Sequence, residues 1–232
     1  MTSPVPAQIH PAAEWPRLEC VYRRLDTMHA WRGWHWWPDA DPFEVAIGAI
    51  LVQNTSWTNV ERALESLRSA GALTPAAMAA LNQDELEALV RPSGQYRQKA
   101  RKLRSFLDLI AAHGSIDALL SLPADELRAK LLATWGIGPE TADGIILFAA
   151  RQSVFPIDAY TLRVFGRLGI GPVETTSYDQ WQQYFDECVP PDRDLRARFR
   201  ALIVLHAKHL CRKRDPRCGD CALRPECPGA RP

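Results

Sequence analysis

The sequence predicts an all-α protein. Apolar residues recur at intervals of three and four over most of the 232 residues, which is the spacing of one face of a helix. No stretch sustains the alternation of apolar and polar residues that marks a half-buried strand. The intervals between the helical stretches are short, so we expect a compact array of many short helices.

Most of the predicted helices have identifiable start and stop residues. Residues 41–71 carry apolar residues at helical spacing and end at Gly71. In residues 74–94, Thr74 suits the N-cap and Pro75 stands at the first helical position. The remaining helical stretches are residues 95–114, 115–122, 123–136, 138–152, 158–169, 178–189 and 194–211.

Composition indicates a globular protein. Hydrophobic residues make up 47% of the chain and charged residues 24%, as in soluble domains. No apolar run approaches the roughly 20 residues of a membrane-spanning helix. Residues 1–13 have neither a basic start nor an apolar segment, so we expect a flexible tail rather than a signal peptide. These features predict a cytoplasmic protein without a membrane partner.

Positive charge is concentrated in two regions, although the net charge is only +1. Residues 91–104 contain six Lys or Arg and no acid, and residues 190–232 contain eleven Lys or Arg against five Asp or Glu. Either region could be an ordinary solvated surface or a surface for a polyanion. Further motifs are needed to decide between the two.

Four cysteines near the C-terminus predict a metal centre. Cys211, Cys218, Cys221 and Cys227 have the spacing C-x6-C-x2-C-x5-C. A cytosolic protein has little use for disulfides, so four thiols in one loop favour metal binding. The spacing lacks the two C-x2-C pairs of an ordinary zinc ribbon, and four cysteines are also the ligand set of a 4Fe–4S cluster.

Residues 123–152 contain a helix, a glycine turn and a second helix. Gly136 and Gly138, on either side of Ile137, permit positive φ angles and a close approach of the backbone. Pro139 begins the second helix, whose N-terminal amides and dipole favour an anion. Such a hairpin, residues 136–138, can hold a phosphate backbone without reading a base sequence.

Asp158 precedes another predicted helix and suits its N-cap. Together with the hairpin and the cysteines, it gives the chain a resemblance to the endonuclease III superfamily of DNA glycosylases over about residues 40–227. The matching segments are AILVQNTSW at 49–57, GIGPETAD at 136–143, PIDAYTLRVFGRLG at 156–169 and the cysteine loop at 211–227.

The resemblance implies a two-lobed helical DNA glycosylase fold with a helix–hairpin–helix motif and a C-terminal iron–sulfur loop. One lobe would be a six-helix domain of residues 41–151 that carries the hairpin. The other would join residues 14–40 to residues 152–232. By the same resemblance, Asp158 is the catalytic carboxylate and the four cysteines hold a 4Fe–4S cluster.

Glu140 departs from the pattern of the bifunctional members. Those members have a lysine at this position, whose amine attacks the sugar C1′ and leads to strand cleavage. A carboxylate cannot form that Schiff base, so we predict base removal with the lyase step absent or weak. We expect a cleft between the two lobes, with Glu140 and Asp158 facing each other across it. A substitute lysine elsewhere in the chain is an alternative.

The pocket motifs resemble the 3-methyladenine glycosylase branch of the superfamily, to which Glu140 also belongs. By that resemblance Trp37 and Trp57 flank the flipped base; the alternative is that they fill a core or rim. Electron-rich indoles near a carboxylate favour a cationic ring such as 3-methyladenine. The chain combines these pocket motifs with the cluster loop of the parent family.

Two loops are expected to handle the DNA. Gln53 resembles the residue that fills the gap left by the flipped base, and Gln95 the tip of a loop that wedges the opposite strand. The alternatives are a helix-surface glutamine and an ordinary turn. Arg97 and Lys99, with Arg101 and Lys102, are predicted phosphate contacts.

Three functions agree with these patterns. The first is a monofunctional alkylpurine glycosylase of base-excision repair. The second is an oxidised-pyrimidine glycosylase with a weak lyase step, and the third is a non-catalytic, iron–sulfur, DNA-damage-binding protein. In each case the expected partner is damaged double-stranded DNA, bound by a monomer in the cytoplasm at the nucleoid.

Overall fold

A computed structural model describes residues 11–29 and 40–231 of the chain. Trp37, expected beside the base, and residues 1–10 of the predicted tail lie outside the described residues. Within the described ranges the structure contains α-helices and short helical turns and no strand, as the sequence predicts. None of the helices in these ranges is long and apolar enough to cross a membrane.

Twelve α-helices follow one another in the described ranges. They are α1 Pro11–His29, α2 Pro42–Leu51, α3 Trp57–Ser69, α4 Pro75–Ala80, α5 Gln83–Val90, α6 Tyr96–Ala112, α7 Ile116–Leu120, α8 Ala124–Ala133, α9 Pro139–Gly144, α10 Ala159–Leu168, α11 Tyr178–Cys188 and α12 Arg193–His209.

Two stretches predicted as single helices are each split in two. The chain turns between α2 and α3 at Asn54, whose φ of 54° does not continue a helix. It turns again after α4, where Leu81 is extended and Asn82 forms a capping box with Glu85 to begin α5. In both places asparagine favours the turn or cap over the helix interior.

The chain divides into two contact units, and α9 belongs to the first. The described part of that unit is residues 40–156, and it contains the eight helices α2–α9. The short helices α4 and α7 account for the difference from the six expected. After Gly144, the helix continues as a π-helical turn, Ile145–Ala149, in which Ala150 N donates to Ile145 O at 2.9 Å.

The core of the 40–156 unit is built around α2 and α6. From Phe43 to Leu51 the helix α2 is buried except for Glu44, so it is apolar all round. In α6 the buried residues recur along one stripe that includes Leu103, Phe106 and Ile110. The end of α2 and the start of α6 position the side chains that contact the glycine hairpin.

The second unit contains α1 and α10–α12, in residues 11–29 and 157–231. Its core includes Phe165, Phe185 and Phe199, each with 0% exposure. The Phe165 and Phe185 rings meet edge to face with centroids 4.9 Å apart. Burial of one such side chain contributes roughly 1.5–3 kcal/mol. This packing joins α10, α11 and α12 and fixes the helix that begins after Asp158.

Candidate functional site

Asp158 caps the N-terminus of α10 and is held at both carboxylate oxygens. Its Oδ1 accepts hydrogen bonds from Thr161 N at 2.7 Å and Thr161 Oγ1 at 3.0 Å. Its Oδ2 lies 2.7 Å from Arg200 Nη2. Asp158 is 8% exposed and Arg200 4%, so this is an almost fully buried ion pair that still reaches the surface on the carboxylate side.

Only one of the two hairpin glycines has the positive φ that the sequence allows for both. Gly136 has φ of +84°, a conformation that favours glycine, and Gly138 precedes α9 in extended conformation. Ile137 between them is 5% exposed and anchors the turn in the core. The N-cap residue of α9 is Gly138, which has no side chain to cap the first amides of the helix.

Lys102 crosses directly over the hairpin. A Cβ added to Gly136 would lie 2.4 Å from Lys102 Cγ and 2.9 Å from its Cδ and Cε. Glycine is therefore required at this position for two reasons, the positive φ and the close approach of the lysine chain.

Gln53 ties the end of α2 to the hairpin. Its Nε2 donates to Thr141 Oγ1 at 2.8 Å and to Gly136 O at 3.2 Å. Its Oε1 accepts from Lys102 Nζ. The side chain expected to fill a gap in DNA thus makes hydrogen bonds with the hairpin, with α9 and with Lys102.

The segment before α6 forms a tight, exposed turn. Gly94 has φ of +70° and Gln95, the predicted tip, has φ of +46°. Gln95 is exposed, so the predicted wedge residue does stand at the surface. Two consecutive residues with positive φ make this turn an unusual backbone shape that surrounding contacts must hold.

Lys99 is placed differently from the predicted phosphate contact. It is 1% exposed and its Nζ donates to Ser93 O at 2.5 Å. Burial, and next the charge of Lys102, lower the pKa of Lys99 to about 8. The physical reason is register, because Lys99 falls on the same face of α6 as Leu103 and Phe106. In this position it supports the 93–95 turn from within.

Arg97 and Arg101, two of the predicted phosphate contacts, lie on the exposed face of α6. Arg97 lies 3.7 Å from Glu87 and close to the Tyr96 ring. The guanidinium of Arg101 stacks over the ring of Trp135, 4.0 Å from its centroid. Trp135 is 42% exposed and immediately precedes the hairpin, so this cation–π pair extends the surface beside Gly136.

Two predicted site residues, Glu140 and Trp57, lie in the first turns of their helices. Glu140 is exposed in the first turn of α9, and Trp57 is half-buried as the first residue of α3. Glu140 and Asp158 belong to different contact units. An acidic residue in the first turn suits the helix dipole.

The four cysteines line one cavity. Its wall also includes the aliphatic side chains of Val164, Leu168 and Leu223. Burial raises the pKa of the Cys221 and Cys227 thiols, and the charges of the other cysteines raise both further. In the described residues, no three His, Cys, Asp or Glu side chains converge closely enough to bind one metal ion.

The donor set of four thiols has the chemistry of a metal centre. In a 4Fe–4S cluster each of four thiolates binds a separate iron, and Cys211, Cys218, Cys221 and Cys227 around one cavity supply that number of thiols.

Two arginines of α10 hold the cysteine loop. Arg163 donates to Ala207 O at 3.1 Å and Cys211 O at 2.9 Å. Arg167 donates to Cys211 Sγ at 3.2 Å and to Arg212 O at 2.9 Å. The helix that Asp158 caps is therefore the helix that fixes the cysteine loop.

Comparison with known proteins assigns a family to this geometry. The family model described as HhH-GPD superfamily base excision DNA repair protein matches residues 47–191, a range that contains Gln53, the hairpin and Asp158. The chain belongs to this superfamily. The HhH-GPD range ends before the cysteine loop, so the family match itself does not depend on the four thiols.

Sequence similarity to other proteins covers most of this HhH-GPD chain. A protein of Methanocaldococcus jannaschii with the provisional name DNA repair glycosylase is 37% identical over 215 residues, covering 91% of this chain and 97% of that protein. Endonuclease III of Thermotoga maritima is 27% identical over 195 residues, covering 82% and 84%.

A solved structure is similar in fold as well as sequence. The 3-methyladenine DNA glycosylase MagIII of H. pylori, bound to 1,N6-ethenoadenine, gives a TM-score of 0.73 at 29% identity, covering 82% of this chain and 96% of that one. The predicted superfamily and all-α fold are thus confirmed. The protein is a DNA repair glycosylase, and DNA is its partner.

Sequence reasoning missed Thr161, Arg200 and Lys102 as contacts of the site residues. The sequence does contain a signal for the burial of Arg200. Arg196 and Arg200 fall on the same face of α12 as Ile203, and that face is mostly apolar. A charged residue in such a stripe needs a buried partner. No comparable sign marks Lys102, whose contact with Gly136 depends on the tertiary fold.

Proposed function

We propose that this DNA glycosylase removes alkylated purines such as 3-methyladenine by hydrolysis, without an efficient strand-cleaving step. The observation that carries this proposal is the pair of carboxylates at the hairpin helix and at the start of α10. Glu140 stands in α9 where an amine nucleophile would be needed, and Asp158 is the buried, hydrogen-bonded carboxylate.

The chemistry needs one well-placed carboxylate. The target nucleotide must leave the base stack before its glycosidic bond is accessible. As that bond lengthens, positive charge develops on the sugar, and the Asp158 carboxylate stabilises this charge and orients the attacking water. A cationic alkylpurine leaves readily, so the protein need not donate a strong acid to the departing base.

The lysines near the hairpin are already engaged in hydrogen bonds. Lys102 Nζ donates to Gln53 Oε1, and Lys99 Nζ to Ser93 O. Lys99 is the better candidate for a substitute nucleophile, since its pKa of about 8 leaves more neutral amine than an ordinary lysine has. Its 1% exposure opposes this role.

The similar MagIII structure supports the substrate class. That protein is named for 3-methyladenine and holds an ethenoadenine. The pocket motifs shared with that branch, including Trp57, favour an aromatic cation between stacking side chains. We place the action of this protein on damaged double-stranded DNA, as a monomer.

A base-release assay over a panel of lesions tests the substrate. We expect release of 3-methyladenine, with little release of oxidised pyrimidines or of thymine opposite guanine. Asp158→Asn should reduce the single-turnover rate on the order of 10²- to 10³-fold while DNA binding persists. Preferential release of an oxidised pyrimidine would support the second candidate, and an unaffected Asp158→Asn variant would favour a non-catalytic protein.

Borohydride trapping tests the missing lyase step. A Schiff base between an amine and the sugar is reduced to a stable adduct, which gel electrophoresis detects. We expect no trapped adduct and intact strands until alkali is added. If an adduct forms, its loss in Lys99→Met would identify that lysine as the nucleophile and would overturn the interpretation of Glu140.

We also propose that Cys211, Cys218, Cys221 and Cys227 hold a 4Fe–4S cluster. The four thiolates would bind one iron each, and Arg167 would offset the negative charge beside Cys211. When bound, the cluster would cross-link the four cysteines of the loop and could accept or donate an electron. Analysis of the purified protein should find iron and sulfide in equal amounts with visible absorbance. A colourless protein that contains zinc would contradict the assignment.

A further inference from the structure

We propose that Arg200 is a positioning residue for base release, acting through the carboxylate of Asp158. This inference rests on the proposed catalytic role of Asp158. An N-cap uses one carboxylate oxygen, and here Oδ1 accepts from Thr161 N and Thr161 Oγ1. An N-cap alone leaves the other oxygen without a fixed direction. Arg200 supplies that direction, because its Nη2 lies 2.7 Å from Oδ2.

Counting acceptor positions shows what the carboxylate can still do. An ionised carboxylate has about four lone-pair positions on its two oxygens. In the structure described here, Thr161 occupies two positions on Oδ1 and Arg200 occupies one on Oδ2. One position on Oδ2 is left for a water or for the sugar. The carboxylate therefore presents a single, oriented acceptor rather than two interchangeable oxygens.

Burial makes this orientation rigid. Thr161 is 0% exposed and Arg200 is 4% exposed. The two residues reach Asp158 from different helices, Thr161 from α10 and Arg200 from α12. Rotation of the carboxylate would break the cap and the ion pair together. Such rigidity is useful at a catalytic group, since a displacement of about 1 Å can cost 10²-fold in rate.

The same helix provides a matched control in Arg196. Arg196 lies one turn earlier on α12, is 2% exposed, and also forms an ion pair, with Asp186, whose side chain is 27% exposed. Its partners are Asp186 and the carbonyls of Val189 and Pro190. Arg196→Lys and Arg200→Lys thus make the same change, from a planar fork to a single ammonium, but only one of them faces Asp158.

The test compares single-turnover base release with DNA affinity. The probe is duplex DNA containing 3-methyladenine at saturating protein, and affinity is measured by anisotropy with an uncleavable analogue. We expect Arg200→Lys to lower the rate on the order of 10- to 100-fold and to leave the dissociation constant within about twofold. Arg196→Lys should have a rate within about threefold of the parent.

A second variant leaves both charged residues of the buried ion pair in place. Thr161→Val removes the Oγ1 donor and keeps the backbone N–H, and we expect an intermediate loss of rate, on the order of 10-fold. Urea unfolding of all three variants shows how much stability each has lost, and rates are compared well below the unfolding midpoint.

The outcomes separate this inference from the proposed function. If Asp158→Asn abolishes release but Arg200→Lys and Arg196→Lys behave alike, then Arg200 is structural and this inference is wrong. If Asp158→Asn leaves release unchanged, then the proposed catalytic role itself fails. A rate loss confined to Arg200→Lys and Thr161→Val supports the positioning role.

Discussion

Two helices that begin close together in the chain, α9 and α10, have opposite kinds of N-terminus. At the start of α9, the N-cap residue is Gly138, which has no side chain with which to cap the first amides. At the start of α10, Asp158 caps the amides and also pairs with Arg200. The N-terminus of α9 is therefore defined by the backbone conformation of the glycine turn, and the N-terminus of α10 by charged side chains.

The difference matches the two tasks of a DNA glycosylase. A phosphate binds to the terminal amides of a helix, so a helix end suited to DNA needs no side chain at its N-cap position; Glu140 lies two residues after that position, in the first turn of α9. Chemistry on the sugar requires a fixed negative charge supplied by the protein. The contrast predicts that substitutions at α10 act through electrostatics, whereas substitutions at the hairpin act through backbone shape.

The largest effect on stability is expected for Asp158→Ala. It removes an N-cap and also takes away the carboxylate that faces the buried Arg200, a type of change that costs about 3–5 kcal/mol. Asp41→Ala is the control, because Asp41 caps α2 through Phe43 N and Glu44 N without a buried cation. Loss of that cap should cost about 1 kcal/mol.

Denaturant unfolding of the two variants measures the difference. Equal losses for Asp158→Ala and Asp41→Ala would show that Asp158 is only a cap, and the contrast between the two helix ends would disappear.

Next in size is Gly136→Ala in the hairpin. Alanine at a φ of +84° costs about 1–3 kcal/mol, and its Cβ would displace Lys102 from over the turn. Gly138→Ala is the matched control two residues away, since nothing lies within 4 Å of the added carbon and φ is −94°. Thermal unfolding should separate them clearly.

For Gly138→Ala we expect a change within about 0.5 kcal/mol. If the two alanine variants are equally stable, backbone shape does not distinguish the hairpin from other turns.

Local patterns in the sequence were sufficient for most of the fold. Helical periodicity located the long helices α6 and α12, although not α1, whose first residues fall in the predicted tail 1–13. The glycines with Pro139 located the hairpin turn. Asp158 could be predicted as a cap from its position before an apolar-periodic stretch. Each of these features depends on residues close together in sequence, which is why a single sequence carries them.

Features that depend on contacts between distant residues could not be predicted. Lys99 was expected at the surface because it lies in a basic run, yet helical register turns it inward. Arg200 forms its ion pair with Asp158 because α12 packs beside α10, and that packing is not visible in the sequence.

A pH-dependent effect is expected for Lys99. Its pKa in the folded protein is about 8, below the value of about 10.4 for an exposed lysine. Between these two values the unfolded chain binds more protons than the folded one, so stability rises with pH. Relative to Lys99→Met, the parent protein should gain about 1–2 kcal/mol between pH 7.5 and 9.5.

Urea unfolding at the two pH values measures this gain, with the variant cancelling contributions from other groups. A constant difference between the proteins would mean that Lys99 titrates normally and that the 93–95 turn is not supported by a desolvated cation.

The smallest effect is expected for a substitution of Arg101, which lies beside the glycine hairpin, and the effect is on DNA affinity. Its guanidinium stacks on Trp135 beside Gly136, so it can meet a phosphate with little loss of side-chain freedom. Arg101→Gln should reduce the slope of log affinity against log salt by about one. Arg68→Gln is the control, because Arg68 of α3 is already paired with Glu44 of α2 and with Glu65 of its own helix. Equal slopes for both variants would exclude Arg101 from the DNA surface and confine that surface to the hairpin amides.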